Sequence, residues 1–170
     1  MAGHLKRNLA VGLLAGLAGT AVMDQYWRVL AKTKPDWVTS GEEPSTQKAA
    51  RKLLQNVGVH SPSRRIRKRG GEAVHWGTGL TWGLAVGAAS AAGVPITWGG
   101  GQLFGTGVWA LSDEWLKYKM ELGKHPRERS RRDHVSALGA HLSYGLGVWA
   151  VMKTLAGKGA QKRGSLRRAA

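Results

Sequence analysis

The feature that most restricts the fold of this chain is the uneven distribution of charge along its 170 residues. Three long stretches, 9–23, 73–112 and 134–152, contain no Asp, Glu, Lys or Arg. The middle stretch is interrupted by Gly93-Val94-Pro95, which predicts two segments joined by a tight turn. Because about 20 apolar residues span the hydrocarbon core of a bilayer, the pattern predicts four membrane-crossing helices.

Composition agrees with this interpretation, since 25 Gly and eight Trp suit membrane helices that pack closely and end at interfaces. We therefore predict an all-α fold, a four-helix integral membrane bundle formed by residues 1–157. The predicted spans are approximately residues 8–30, 73–93, 96–118 and 134–157. A basic loop, 31–72, joins the first two spans, and a basic mobile tail, 158–170, follows the last.

The first loop is predicted to contain a short amphipathic helix. Glu43-Pro44-Ser45 is a helix start signal, Leu53, Leu54 and Val57 recur at helical spacing, and Gly58 ends the pattern. Such a helix lies either at the lipid interface or in solvent, packed on the bundle. The sequence leaves both placements open.

Five basic residues follow that helix and precede the second apolar segment: Arg64, Arg65, Arg67, Lys68 and Arg69. With a net charge of +16, they admit anionic lipid or nucleic acid as partners. No aromatic residues are interleaved with them, so we favour lipid-headgroup contact over nucleic acid. The absence of cysteine excludes disulfides and thiolate metal sites.

Small residues at regular spacing mark packing faces on the predicted spans. The first segment carries Gly12, Gly16 and Gly19, and similar spacing recurs in the next two segments. Lipid offers no hydrophobic drive between helices, so small residues that let backbones approach favour association. We expect segments two and three to form a close-packed helical hairpin.

Alternating spans place several polar residues near one membrane face, on the side of the first and third loops. These residues are Asp24, His75, Asp113, Glu114, His134, His141 and Tyr144. Ionisable groups inside a membrane are costly and usually face a partner in the bundle interior. The shared level predicts a polar cluster between the helices.

Three roles for this cluster remain open: a structural hydrogen-bond network, a divalent metal site or proton handling by histidine. A metal site built from His75, His141 and either Asp113 or Glu114 is possible. However, His134 and His141 are seven residues apart, about 10 Å along a helix, and are not expected to bind one ion together. The adjacent Asp113 and Glu114 are expected to point about 100° apart rather than face each other.

Four short motifs resemble the YagU-like group of small bacterial inner-membrane proteins, a domain of unknown function. They are Gly-Leu-Ala-Gly-Thr-Ala-Val-Met-Asp at 16–24, Glu-Ala-Val-His-Trp at 72–76, Trp-x-x-x-Asp-Glu at 109–114 and His-Leu-Ser-Tyr-Gly at 141–145. The resemblance implies a four-span membrane protein with polar residues in its helices, and no known activity.

These observations together predict a multi-pass protein of the bacterial inner membrane without evident enzymatic activity. We expect a structural or accessory subunit that packs with itself or with a larger membrane complex. The alternatives are a proton- or metal-linked membrane protein and, secondly, a basic nucleic-acid-binding protein. The distribution of Lys and Arg favours cytoplasmic first and third loops, although the basic termini oppose that orientation.

Overall fold

The computed structural model describes residues 2–38, 42–95 and 98–156, and within these residues the chain is helical and contains no strand. The helices are α1 (Ala2–Thr33), α2 (Ser45–Asn56), α3 (Arg64–Ala91), α4 (Gln102–Trp109), α5 (Lys117–Lys119) and α6 (Arg131–Val151). Two π-helical stretches, Ala110–Leu116 and Met152–Ala156, connect α4 to α5 and extend α6. The all-helical prediction is confirmed, whereas the predicted tail, 158–170, lies outside the described residues.

The second long helix, α3, starts earlier than the predicted segment 73–93. Ser63 caps its first turn, since the backbone N–H of Ile66 donates to Ser63 Oγ at 3.3 Å. Arginine and lysine are good helix formers. The basic residues 64–69 and the apolar stretch that follows them therefore form one uninterrupted helix. The predicted short helix in the first loop is confirmed as α2.

The third long segment starts later than predicted. Gly99, Gly100 and Gly101 adopt φ values of 61°, 66° and 81°, a left-handed conformation that glycine tolerates. Regular helix therefore begins only at Gln102. The predicted first residues of this segment, Ile96 and Thr97, lie outside the described part of the chain.

Glycines bring the backbones of α1 and α3 into direct contact. A β-carbon added to Gly12 would lie 2.8 Å from Gly87 Cα, and one added to Gly83 would lie 2.7 Å from Gly16 Cα. Gly79 lies beside Thr20 further along the same contact. Contacts on α3 move to lower numbers as those on α1 rise, so the two helices are antiparallel. We call this contact the glycine seam.

The close-packed hairpin predicted for the second and third segments is wrong. The glycines of α3 pack against α1, whereas Gly101 and Gly105 approach α6 at Gly145 and His141. Between α3 and α4 the contact is made by larger side chains, with the Trp82 and Phe104 ring centroids 6.4 Å apart. The helix α1 completes the packing by lying against α6 as well as α3.

The first and third loops are tied to each other by surface ion pairs. Arg132 Nη1 lies 3.0 Å from Asp36 Oδ2, and Lys52 Nζ lies 3.1 Å from Glu121 Oε2. A third pair joins Lys124 Nζ to Glu42 Oε1 at 2.6 Å, and this hydrogen bond lowers the pKa of the Glu42 carboxyl. These exposed pairs position the two loops at the same end of the molecule.

Within this end of the molecule, α2 packs on the first turns of α3. Gly70 lies beside Ala50 and Gly71 beside Gln47, and Ala50 is buried. The outer residues Leu53 and Val57 of α2 stay exposed. The helix α2 therefore packs on α3, and its exposed apolar residues are compatible with either placement predicted from the sequence.

Two helical stretches, Gly3–Thr33 and Arg131–Leu155, are long and apolar enough to cross a membrane by length and composition. Core helices of soluble proteins and N-terminal signal sequences share these properties. The uncharged part of α3 contains Gly, Thr, Trp and His residues, which lower its mean hydropathy.

Candidate functional site

The polar residues singled out by the sequence lie towards the loop end of the helices and form three separate pairings. The first joins α1 to α3, where His75 Nε2 and Asp24 Oδ1 are 2.9 Å apart. Both side chains are about one quarter exposed. This pair fixes the register of the two helices just beyond the glycine seam.

The second pairing centres on Glu114, which follows α4. Its Oε1 accepts from Arg129 Nη1 at 2.9 Å, and His134 Nδ1 lies 3.0 Å from the same oxygen. The other ring nitrogen of His134 lies 3.0 Å from the carbonyl oxygen of Pro126. The pairing thus joins one carboxylate to the third loop and to α6.

The third pairing lies deepest and centres on Asp113, whose side chain is only 6% exposed. Lys117 Nζ lies 2.6 Å from Asp113 Oδ1, and His141 Nε2 lies 4.0 Å from the same oxygen. The Nδ1 atom of His141 lies 2.9 Å from the carbonyl oxygen of Ala137. Asp113 is therefore neutralised by a lysine on its own helical segment.

Tyr144 and Trp82 form the inner boundary of this polar region. The Tyr144 hydroxyl donates to the carbonyl oxygen of Gly79 at 2.7 Å, across the bundle from α6 to α3. The Trp82 indole N–H donates to Ser112 Oγ at 3.2 Å. The Phe104 ring lies 6.0 Å from the Tyr144 ring. Below this level the interior consists mainly of glycine and small apolar residues.

The π-helical stretch Ala110–Leu116 explains how two adjacent carboxylates both serve the interior. In a regular α-helix, neighbouring side chains diverge by about 100°. Here Asp113 approaches His141 while Glu114 contacts His134, seven residues earlier on α6. Single π-helical turns inside helices often occur at functional sites, and this one presents both carboxylates to one neighbouring helix.

The polar residues do not assemble into the metal site considered from the sequence. His75 pairs with Asp24, so it is not shared with Asp113 or Glu114 as that site requires. Within residues 2–38, 42–95 and 98–156, no group of three His, Asp or Glu side chains could hold a metal ion. The arrangement supports hydrogen bonding and proton exchange between paired groups.

Sequence reasoning missed the two cations that neutralise these carboxylates. The spacing of Lys117, four residues after Asp113, is a signal for an ion pair on one helical face and could have identified the first of them. Arg129 carried no such signal, because it lies in the third loop, 15 residues from Glu114. Only tertiary folding brings that guanidinium, 16% exposed, to the carboxylate.

The five basic residues predicted to contact lipid do not form one set. Arg67 Nε lies 3.6 Å from Glu43 Oε1, and its Nη1 donates to the carbonyl oxygen of Pro62 at 3.2 Å. The other four, Arg64, Arg65, Lys68 and Arg69, are exposed. Arg67 therefore anchors the start of α3, and four cations remain at the surface.

The chain matches no protein-family model, no curated protein and no solved structure.

Proposed function

We propose that this chain is a small four-span protein of the bacterial inner membrane that acts as a structural or accessory subunit. It packs with itself or with a larger membrane complex, and its first and third loops face the cytoplasm. Membership of the YagU-like group is part of this proposal and rests on the four motifs alone. No enzymatic reaction is assigned to the chain.

The observation that carries the membrane proposal is the set of large apolar side chains exposed on the outer faces of the helices. Large apolar residues of all four long helical segments face outwards, including Leu14, Leu84, Leu103 and Leu146. Asn8, Thr20, Asp113 and Ser136 are buried among the apolar residues of the interior. Water disfavours an exposed apolar surface of this extent, since burying apolar area stabilises a soluble core. A hydrocarbon solvent accounts for leucines outside and paired polar groups inside.

The length of the helices fits four crossings. Residues 73–91 of α3 extend about 28 Å at 1.5 Å per residue, close to the thickness of the hydrocarbon core. The segment from Gln102 to Lys119 has about the same length. Close contacts at glycines and hydrogen bonds between helices, rather than a large apolar core, then hold the helices together.

Cysteine accessibility tests this topology, because the natural chain contains no cysteine. We expect Val57→Cys and Glu121→Cys to react with a membrane-impermeant maleimide from one side of the membrane. Gly3→Cys and Val94→Cys should react only from the other side, because α3 and α4 each cross once. Alkaline carbonate should leave all four variants in the membrane fraction.

A chain with only α1 and α6 in the membrane would give a different pattern. Val94→Cys would then be labelled from the same side as Val57→Cys, and the four-span proposal would be wrong. Release of the protein by carbonate would instead indicate a soluble helical protein, and with it the nucleic-acid alternative.

Proton-linked transport is a second candidate, favoured by the buried Asp113 on its π-helical turn next to His141. Histidine exchanges protons near neutral pH, and intramembrane carboxylates commonly relay them. One preparation in mild detergent separates the two functions. An accessory subunit is expected to elute as an assembly heavier than the 18.2-kDa chain. After reconstitution it should conduct no more protons than empty liposomes.

Asp113→Asn and Glu121→Gln serve as the matched pair for that measurement. A monomer whose proton flux falls at least about tenfold in Asp113→Asn, with Glu121→Gln unchanged, would replace the accessory role with transport, since a relay group typically contributes this much or more. Glu121 is the appropriate control because its side chain is 86% exposed and pairs with Lys52 of α2 at the surface.

A further inference from the structure

The first two turns of α3 present four basic side chains on one side of the helix. Arg64 and Lys68 are four residues apart, as are Arg65 and Arg69, so they form two neighbouring rows. All four are exposed. Arg67 points elsewhere, towards Glu43 and the carbonyl oxygen of Pro62. We call the four outward residues the basic stripe.

The basic stripe lacks counter-charges from the protein. The loop carboxylate Glu43 is engaged by Arg51 Nη2 at 3.3 Å and by Arg67 Nε at 3.6 Å. In the described part of the chain, no carboxylate forms an ion pair with the stripe. Glu72, four residues after Lys68, is exposed on the same helix. Four cations thus face at most one nearby acid.

The position of the stripe relative to the membrane follows from the continuity of α3, and this step rests on the proposed membrane location. Arg69 precedes the uncharged stretch at Ala73 by about 6 Å, and Arg64 by about 14 Å. The headgroup layer is about 5–8 Å thick on each side of the hydrocarbon core. The stripe therefore extends from within that layer to just outside it.

We propose that the basic stripe binds the phosphates of anionic phospholipids in the leaflet next to the first and third loops. The helix that carries the stripe also crosses the membrane, so its cations are held at phosphate depth without a flexible linker. Trp76, near the start of the uncharged stretch, lies where interfacial tryptophans occur. No stacking aromatic is interleaved with the cations, as single-stranded nucleic acid would require.

The test uses the full chain purified in neutral detergent and offered equal amounts of phosphatidylglycerol and phosphatidylcholine. Bound lipids are counted by native mass spectrometry. Each basic residue near an anionic surface contributes about fivefold in affinity before salt screening. We expect R64Q/R65Q/K68Q/R69Q to lose at least about tenfold of the phosphatidylglycerol preference. Higher salt should weaken the preference of the natural chain in the same direction.

A variant that removes the same charge elsewhere controls for a diffuse effect of net charge. It replaces four exposed basic residues outside the stripe: R28Q/K119Q/R127Q/R131Q. The proposal predicts that this variant keeps its lipid preference, and that Arg67→Gln keeps it as well. Helical content measured by circular dichroism verifies that each variant is folded.

Two results would overturn the proposal. An equal loss in both fourfold variants would show that total charge, and no particular site, attracts the lipid. Preferential binding of single-stranded DNA over phosphatidylglycerol micelles would assign the stripe to nucleic acid. Either result leaves the membrane topology intact, because cysteine accessibility measures that topology independently.

Discussion

The Gly83→Val variant is expected to unfold at a much lower dodecyl sulfate content than the natural chain in mild detergent. A β-carbon at Gly83 would lie 2.7 Å from Gly16 Cα, and the atoms it meets belong to the backbone of α1. Backbone atoms have no alternative rotamer, so α1 and α3 must separate along the whole glycine seam. Overpacking of this kind costs about 3 kcal/mol or more, a large share of the stability of a small protein.

Gly77→Val is the matched control, because it makes the same substitution in the same helix. A β-carbon added to Gly77 would meet no atom of a neighbouring helix within 4 Å, and the residue faces outwards. The cost in helix propensity is the same for both variants. Unfolding in mixed micelles with increasing dodecyl sulfate should therefore separate them. Equal midpoints would show that the backbones of α1 and α3 do not touch.

Glu114→Gln is expected to destabilise the protein by about 2–3 kcal/mol, because it leaves the Arg129 guanidinium, only 16% exposed, without its anion. Arg129 Nη1 donates to Glu114 Oε1, His134 Nδ1 lies 3.0 Å from the same oxygen, and the Glu114 side chain is 18% exposed. A neutral amide oxygen accepts one of these bonds but cannot balance the charge. The same titration with dodecyl sulfate measures the loss.

Glu121→Gln is the corresponding surface control. Glu121 also pairs with a cation, Lys52, but its side chain is 86% exposed. Exposed pairs contribute about 0–1 kcal/mol, so this variant should unfold almost as the natural chain does. If Glu114→Gln were as stable as Glu121→Gln, the buried pairing would contribute nothing to folding. The register of α4 and α6 would then depend on their other contacts, such as Gly105 against His141 and the Phe104 ring beside Tyr144.

The charge pattern identified the helices because a long run without ionisable residues has few other structural uses. It also predicted that Asp24 and His75 lie near each other, since the end of one membrane-crossing helix and the start of the next lie at the same membrane face. Their actual pairing depends on which helices are neighbours. That information is not present in alternation alone, so the sequence could not show that the cluster is divided into groups centred on Asp24, Asp113 and Glu114.

The wrong hairpin has a similar cause. Glycines at four-residue spacing show which face of a helix permits close approach, but several helices of this chain carry such a face. Gly79 and Gly83 fit α1 and Gly105 fits α6, while a connection through Gly93 shows only that α3 and α4 are consecutive. Sequence neighbours are not always the helices that touch most closely.

Local backbone geometry could not be predicted from the charge pattern either. The sequence analysis placed Gly99, Gly100 and Gly101 inside the third span, because hydropathy contains no information about the backbone angle φ. In the structure all three are left-handed and precede the helix. The π-helical stretch at Ala110–Leu116 was equally invisible, since it arises where tertiary contacts hold Asp113 and Glu114. Arg129, held by a loop, could be assigned only from the folded structure.

The order in which the chain is made has a consequence for α1. The residues that α1 contacts are synthesised after it. The partner of Asp24, His75, follows 51 residues later, and Gly12 packs against α3. At about 5–20 residues per second, this delay is roughly 3–10 s. During synthesis, α1 must therefore persist with an unpaired carboxylate and a bare glycine face until its neighbours emerge from the ribosome.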